Sequence, residues 1–253
     1  MRLLAWVDGE VVDASEYHPQ QPFVMQRIHT LEHRGFNVAE HLRLLRSASE
    51  SYFAFATVCK EADAERIIGK LLKASRVTTL YSTPVVMRLD CRGVLSFEVE
   101  HPTFGQGGYL RAKRLTGVTM SFPLQNITVQ DSMSVAADLL ADGRSVPIGS
   151  ERAILVDAED NLISRAWLPI FVVYNNRVYT PMVHDSVEYA VACRAIEKAG
   201  LELEVRPIAN SVLERMEEIF VVDIMGITSY ANIRKHRLLS AVALRVASKM
   251  EPV

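Results

Sequence analysis

The sequence predicts an α/β or α+β protein, and three observations carry that prediction. Strand-like stretches of alternating or continuous apolar residues alternate with stretches of helical periodicity along the chain. Turn-forming dipeptides such as Asp8-Gly9 and Arg92-Gly93 separate them. With 253 residues, 49% of them hydrophobic, the chain can bury a sizeable core, as one large domain or two modest ones.

Taken in order, RLLAWVDGEVV alternates around Asp8-Gly9, a two-residue hairpin signal because both central positions favour positive φ. FVMQRIHTLEH reads as a strand pair or one long strand, closed by a turn at Arg34-Gly35. Asn37 opens a helix with Glu40 three residues on, as in a capping box, and Leu42, Leu45, Ala48, Ser49 and Tyr52 follow at helical spacing. A second helix, Ala62 to Ser75, places Ile67, Ile68, Leu71 and Leu72 on one face. PVVMRLDC and VLSFEVE are strands split by Arg92-Gly93. The loop HPTFGQGG and the strand YLRAKRLTGV lead to Ser121-Phe122-Pro123, the expected boundary between an N-terminal α/β domain (1–120) and a C-terminal one (121–253). Beyond Pro181 come a helix from Ser186 to Lys198 stopped by Gly200, the strand LELEVRPI, a short helix after Asn210, the strand EEIFVVDIMG and a last helix, HRLLSAVALRVASKM.

Composition excludes several classes. A net charge of −2 gives no sign of attraction to nucleic acid or a membrane surface. Asp8-Gly9-Glu10 interrupts the N-terminal apolar run, unlike a signal peptide, and no run approaches the ~20 apolar residues that span a bilayer. Cys59, Cys91 and Cys193 are widely spaced and odd in number, as expected of reduced thiols in a cytoplasmic protein.

The stretch from Ser132 to Pro181 is the most informative. It reads as a helix, Gly149 with a short acidic spacer, the strand AILVD ending at Asp157, the strand IFVV, a polar turn and Tyr179-Thr180-Pro181. This layout resembles the class IV aminotransferases, the fold-type-IV pyridoxal-phosphate family of branched-chain and D-amino-acid aminotransferases and aminodeoxychorismate lyases. The hairpin at the N-terminus, the His41-Leu42 helix and the run LEVRPI to EEIFVV extend the resemblance over almost the whole chain.

The resemblance implies a two-domain fold, a cleft between domains, a homodimer, and a lysine ahead of the Ser132 helix that forms a Schiff base with the cofactor aldehyde. That position falls on Asp131, or on Gln130 at the spacing of some members. The glutamate that would pair with the pyridine nitrogen falls on Ser164. The phosphate-binding arginine of an HLxRL motif falls on Leu44 in His41-Leu42-Arg43-Leu44-Leu45, the Gly-Ile-Thr-Arg helix start on Ser186-Val187-Glu188-Tyr189, and the later phosphate-binding threonine on Ile224, next to Met225. Glu188 would compete with a phosphate for the helix N-terminus. Of the seven lysines (Lys60, Lys70, Lys73, Lys113, Lys198, Lys235 and Lys249), Lys113 is the nearest upstream substitute.

Other motifs are weaker. His29-Thr30-Leu31-Glu32-His33 matches H-x-x-E-H by letter, but as a strand it would separate the histidines by ~13 Å, too far for one zinc. Gly105-Gln106-Gly107-Gly108 reads as a hairpin tip rather than a phosphate loop. No G-x-S-x-G elbow is present. Arg111 and Lys113 share a strand face and could join Arg43 or Arg46 as an anion cluster or form a solvated face.

The resulting expectation is a fold-type-IV aminotransferase-like protein without cofactor or metal, its catalytic residues unassigned. A small-ligand cleft is expected, with Asp131, Ser164, Arg43 and Lys113 as its candidates. Asp131 and Ser164 are expected at its mouth, over an apolar floor of Leu44, Ile224 and Met225. The competing expectation is a pyridoxal-phosphate aminotransferase or lyase that uses a displaced lysine.

Overall fold

A computed structural model describes residues 2–79, 82–101, 113–121 and 126–251, with the side chains of Lys113 and Ile148 left out. The Gly105–Gly108 tip, Arg111 and Phe122-Pro123 therefore lie outside the described residues. The chain divides into two compact units. The first is 1–109 with 129–132 and 252–253, and the second is 110–128 with 133–251. Among the described residues no helix is long and apolar enough to cross a membrane. The three cysteines are free thiols, each partly buried.

The first unit comprises β1 (Leu4–Val7), β2 (Glu10–Asp13), β3 (Phe23–Ile28), β4 (Thr30–Leu31), β5 (Arg34–Gly35), α1 (Val38–Phe53), α2 (Glu61–Ala74), β6 (Val85–Asp90) and β7 (Leu95–Val99). Five strands form an antiparallel sheet in the order β2-β1-β7-β6-β3. The β1–β2 turn has Asp8 and Gly9 at φ 48° and 97°, as the dipeptide predicts. Leu42, Leu45, Ile68, Leu71 and Leu72 of the two helices pack with Val24, Ile28, Met87 and Phe97 of the sheet into one core.

Two local readings are corrected. The turn expected at Arg34-Gly35 is formed by Glu32 and His33, at φ 52° and 62°, which join β4 to β5. Gly35 serves close packing instead, since a Cβ there would lie 2.7 Å from Val38 Cγ2. Asn37 precedes α1 in the left-handed region and its side chain makes no capping bond; Glu40 binds Arg43 instead.

The second unit comprises β8 (Lys113–Ser121), most of α3 (Ser132–Ser145), β9 (Arg152–Val156), β10 (Ile170–Tyr174), β11 (Arg177–Thr180), α4 (Val187–Lys198), β12 (Leu203–Val205), β13 (Glu218–Asp223), β14 (Gly226–Ile233), β15 (His236–Arg237) and α5 (Ala241–Ala247). Its sheet runs β12-β11-β10-β13-β14-β8-β9, with β15 beside β14. β8 is parallel to both of its neighbours, and β11 is parallel to β12. One sheet face carries Ile170, Val172, Tyr179, Ile219, Val221 and Tyr230 into a single core. On the other, Phe171 stacks on Phe220 (5.3 Å) and on Tyr189 of α4 (6.1 Å).

β14 is absent from the sequence reading. Ile227, Tyr230 and Ile233 recur every three residues, a spacing that does not look like a strand. A register shift between Tyr230 and Asn232 explains it, because a bulge restores Tyr230 and Ile233 to one buried face. The last helix is also shorter than expected, since His236 and Arg237 pair with β14. It starts where the Glu218 carboxylate, 2% exposed, accepts from Val242 N and Ala243 N, both at 2.8 Å.

Gly117 on β8 faces the ring of Tyr230, so that a Cβ would lie 2.5 Å from Cδ1 and 2.7 Å from Cε1. The ring is fully buried and cannot retreat without opening the core. Gly117→Ala should therefore cost about 1–3 kcal/mol, read as a lower urea midpoint at unchanged slope. A variant as stable as the parent would show that the ring moves freely.

Candidate functional site

The functionally informative positions fall on two constellations, one in each unit. In the first unit, residues 129–132 return to the sheet edge. Gln130 O accepts from Met25 N at 2.9 Å and Asp131 bridges Val24, so the segment continues the sheet beyond β3. The Asp131 side chain is 6% exposed, and Tyr52 Oη donates to its Oδ2 at 3.0 Å. Tyr52 follows the helical spacing of α1, yet it sits at the edge of the apolar stripe and uses its hydroxyl. Nearby on α1, His41 is fully buried, and its Nδ1 lies 3.0 Å from Gln26 Oε1.

In the second unit, Ser164 Oγ accepts from Ile170 N at 3.2 Å and lies 2.8 Å from Nε2 of His184. Both side chains are buried, and either tautomer of His184 leaves its Nδ1 without a hydrogen-bond partner among the described residues. Burial pushes His184 down from 6.5 to about 4, so the ring is neutral near pH 7. Two residues on, Ser186 caps α4. Its Oγ accepts from Tyr189 N at 3.2 Å and donates to Ala166 O at 2.6 Å. Glu188, in the first turn of that helix, is buried. Sequence reasoning missed His184, a single histidine in the polar turn after Pro181 with no motif around it.

Asp131 and Ser164 are both buried, one in each unit. Arg43 is exposed, and its Nε and Nη2 grip Glu40 at 2.7–3.1 Å on the outer face of α1. Arg46 donates to the Cys59 carbonyl. Lys113 is the first residue of β8, opposite Thr228. Leu44 is half-buried and Ile224 buried, whereas Met225 is about half exposed in the β13–β14 turn, where Asp223 Oδ1 accepts its N–H at 2.8 Å. His29 lies against Ser82 Oγ (3.1 Å) and the Phe36 ring, while His33 Nε2 donates to Val77 O at 2.8 Å. The two histidines occupy a β-hairpin, where the i, i+4 proximity of a zinc helix does not arise.

A unit built on a five-stranded sheet and a second built on an eight-stranded sheet are the parts of the class IV, or fold-type-IV, aminotransferase fold. A branched-chain aminotransferase from the archaeon Thermoproteus uzoniensis, solved with norvaline, superposes with a TM-score of 0.80 at 16% identity over 98% of this chain and 93% of its own. An aminotransferase from Brucella abortus bound to the cofactor PLP gives 0.80 at 12% identity, covering 98% and 97%. The Escherichia coli branched-chain aminotransferase gives 0.78 at 12% identity, covering 97% and 92%. No protein-family profile matches the sequence, and no curated protein matches it.

The two buried histidines make acid stability a measurable signature of both constellations. Burial lowers His41 and His184 alike from 6.5 to about 4. Between those values the unfolded chain binds more protons than the folded one, so stability is complete above pH 6.5 and falls as pH drops towards 4. His41 should contribute on the order of 3 kcal/mol over that window, and His184, less completely desolvated, a smaller amount. Urea melts across it should show the decline, and His184→Gln, which keeps a partner for Ser164 but does not titrate, should make it markedly shallower.

Proposed function

We propose that the chain is a class IV aminotransferase-like protein that has lost pyridoxal-phosphate chemistry and keeps the scaffold as a small-ligand binder. The observation that carries this reading is the placement of the amines. Lys60, Lys70, Lys73, Lys198, Lys235 and Lys249 are all exposed. A Schiff-base amine instead needs a desolvated site that lowers its pKa. The position expected for that lysine carries Asp131, occupied by Tyr52.

The described residues do not fit pyridoxal phosphate in two further respects. A ring nitrogen that must stay protonated needs an anionic partner, and Ser164 with a neutral His184 offers only a hydroxyl and an imidazole. A phosphate at the start of α4 would meet the buried carboxylate of Glu188 and a helix end already capped by Ser186. The cleft candidates under this reading are Asp131, Ser164, Arg43 and Lys113, with no cofactor and no metal. The Brucella abortus neighbour, bound to PLP, supports the second reading, an active enzyme whose amine is Lys113. The purified protein should be colourless, and borohydride reduction with added pyridoxal phosphate should leave its mass unchanged. A stable adduct on Lys113 or any other lysine would transfer the argument to the enzyme.

The same reading includes a homodimer, in which the N-terminal unit helps to close its partner's cleft. Met133, Leu139 and Leu140 of α3 leave an apolar stripe in water, with Leu139 70% exposed, and Val146 follows it. A stripe of this kind marks a surface that something covers, and a stable dimer contact should bury well over ~1,200 Å² in total. Light scattering at micromolar concentration should give twice the 28.3 kDa chain mass, and Leu139→Glu with Leu140→Glu should reduce it to one chain. A monomeric parent protein would remove the proposal.

A further inference from the structure

The second unit contains a cavity of about 270 Å³ that neither Ser164 nor His184 lines. It lies between the sheet and the segment after β12. Val172 and Tyr179, cross-strand partners on β10 and β11, form its floor. Ile208, Val212 and Met216 form the opposite wall, and Arg206 stands at its rim. Its lining residues are apolar apart from Arg206 and the amphipathic Tyr179.

Arg206 is positioned by contacts that leave part of its guanidinium unused, and its side chain is about half exposed. Its N–H donates to Thr180 O at 3.0 Å, which extends the β11–β12 pairing and fixes the Cα. Its guanidinium lies 4.2 Å over the ring of Tyr179, an aromatic residue only 7% exposed. Stacking of this kind orients the plane while leaving its N–H edges free to donate. The guanidinium's ionic neighbour is Glu204, 3.7 Å from Nε, beyond hydrogen-bond reach. Among the described residues no acceptor takes up its Nη atoms. A preoriented, half-exposed fork of donors beside an open, mostly apolar pocket is a carboxylate receptor with space for the rest of the molecule.

We propose that this cavity binds a small monocarboxylate with a short apolar body. The carboxylate is paired to Arg206, and the body sits against Val172, Ile208, Val212 and Met216. The charge balance selects a monoanion, because a single guanidinium beside the Glu204 carboxylate does not neutralise a dianionic phosphate. The volume limits the body to a single ring or a short branched chain, since 270 Å³ lies below the usual range for drug-sized ligands. The proposal does not depend on whether the chain binds pyridoxal phosphate, because the lining is separate from the Asp131 and Ser164 positions.

The test uses the full chain with phenylacetate and its neutral isostere phenylacetamide, read by ligand-observed NMR up to about 10 mM. Phenylacetate should bind at least tenfold more tightly than the amide. Arg206→Gln should remove that difference while leaving weak binding of both, and Val212→Trp, which fills the cavity, should abolish binding of both. Thermal melts establish that each variant is folded, and if Val212→Trp is not, the Arg206→Gln comparison decides alone. Equal binding of acid and amide, unchanged binding by Arg206→Gln, or no binding of either compound would each overturn the proposal.

Discussion

The second unit depends on how closely β8 can approach β14. β8 is parallel to both β14 and β9, so it ties β9 into a sheet whose other strands are mostly antiparallel hairpin partners. The fully buried ring of Tyr230 fills the space that a side chain at position 117 would need. A bulge in β14 turns that ring to the core, so one irregularity in one strand sets the packing of its neighbour. Burial raises the Tyr230 hydroxyl to about 12, so it is a neutral phenol near pH 7.

Parts of this architecture were legible where local chemistry and global packing agree. Asp8-Gly9 specified its turn because no other conformation is as favourable there, and Ile67, Ile68, Leu71 and Leu72 specified α2 because one helix face must be apolar. The likeness to the aminotransferases was legible from Gly149, the strand ending at Asp157 and Thr180-Pro181, and the solved structures match that fold over nearly the entire chain. Illegible parts were those settled by long-range geometry. Nothing local marks the bulge in β14, the Glu218 carboxylate that starts α5, or the transfer of the turn to Glu32-His33, where ordinary residues accept positive φ.

The candidate site shows the same division. That Asp131 and Ser164 stand in unusual positions could be read from spacing, but what they bind could not. Tyr52 is 79 residues from Asp131, and His184 is 20 from Ser164, so each partnership exists only after folding. The Arg206 pocket was likewise invisible, because its lining comes from two strands and a later loop with no motif among them.

The buried carboxylate of Glu218 has a consequence for the cooperativity of folding. It belongs to a central strand, yet it supplies the acceptors for the first amides of a seven-residue helix at the surface of the sheet. A helix that short has no stability of its own in water, so α5 borrows its start from β13. Helix and strand therefore gain or lose their structure together, and α5 reports on the middle of the sheet.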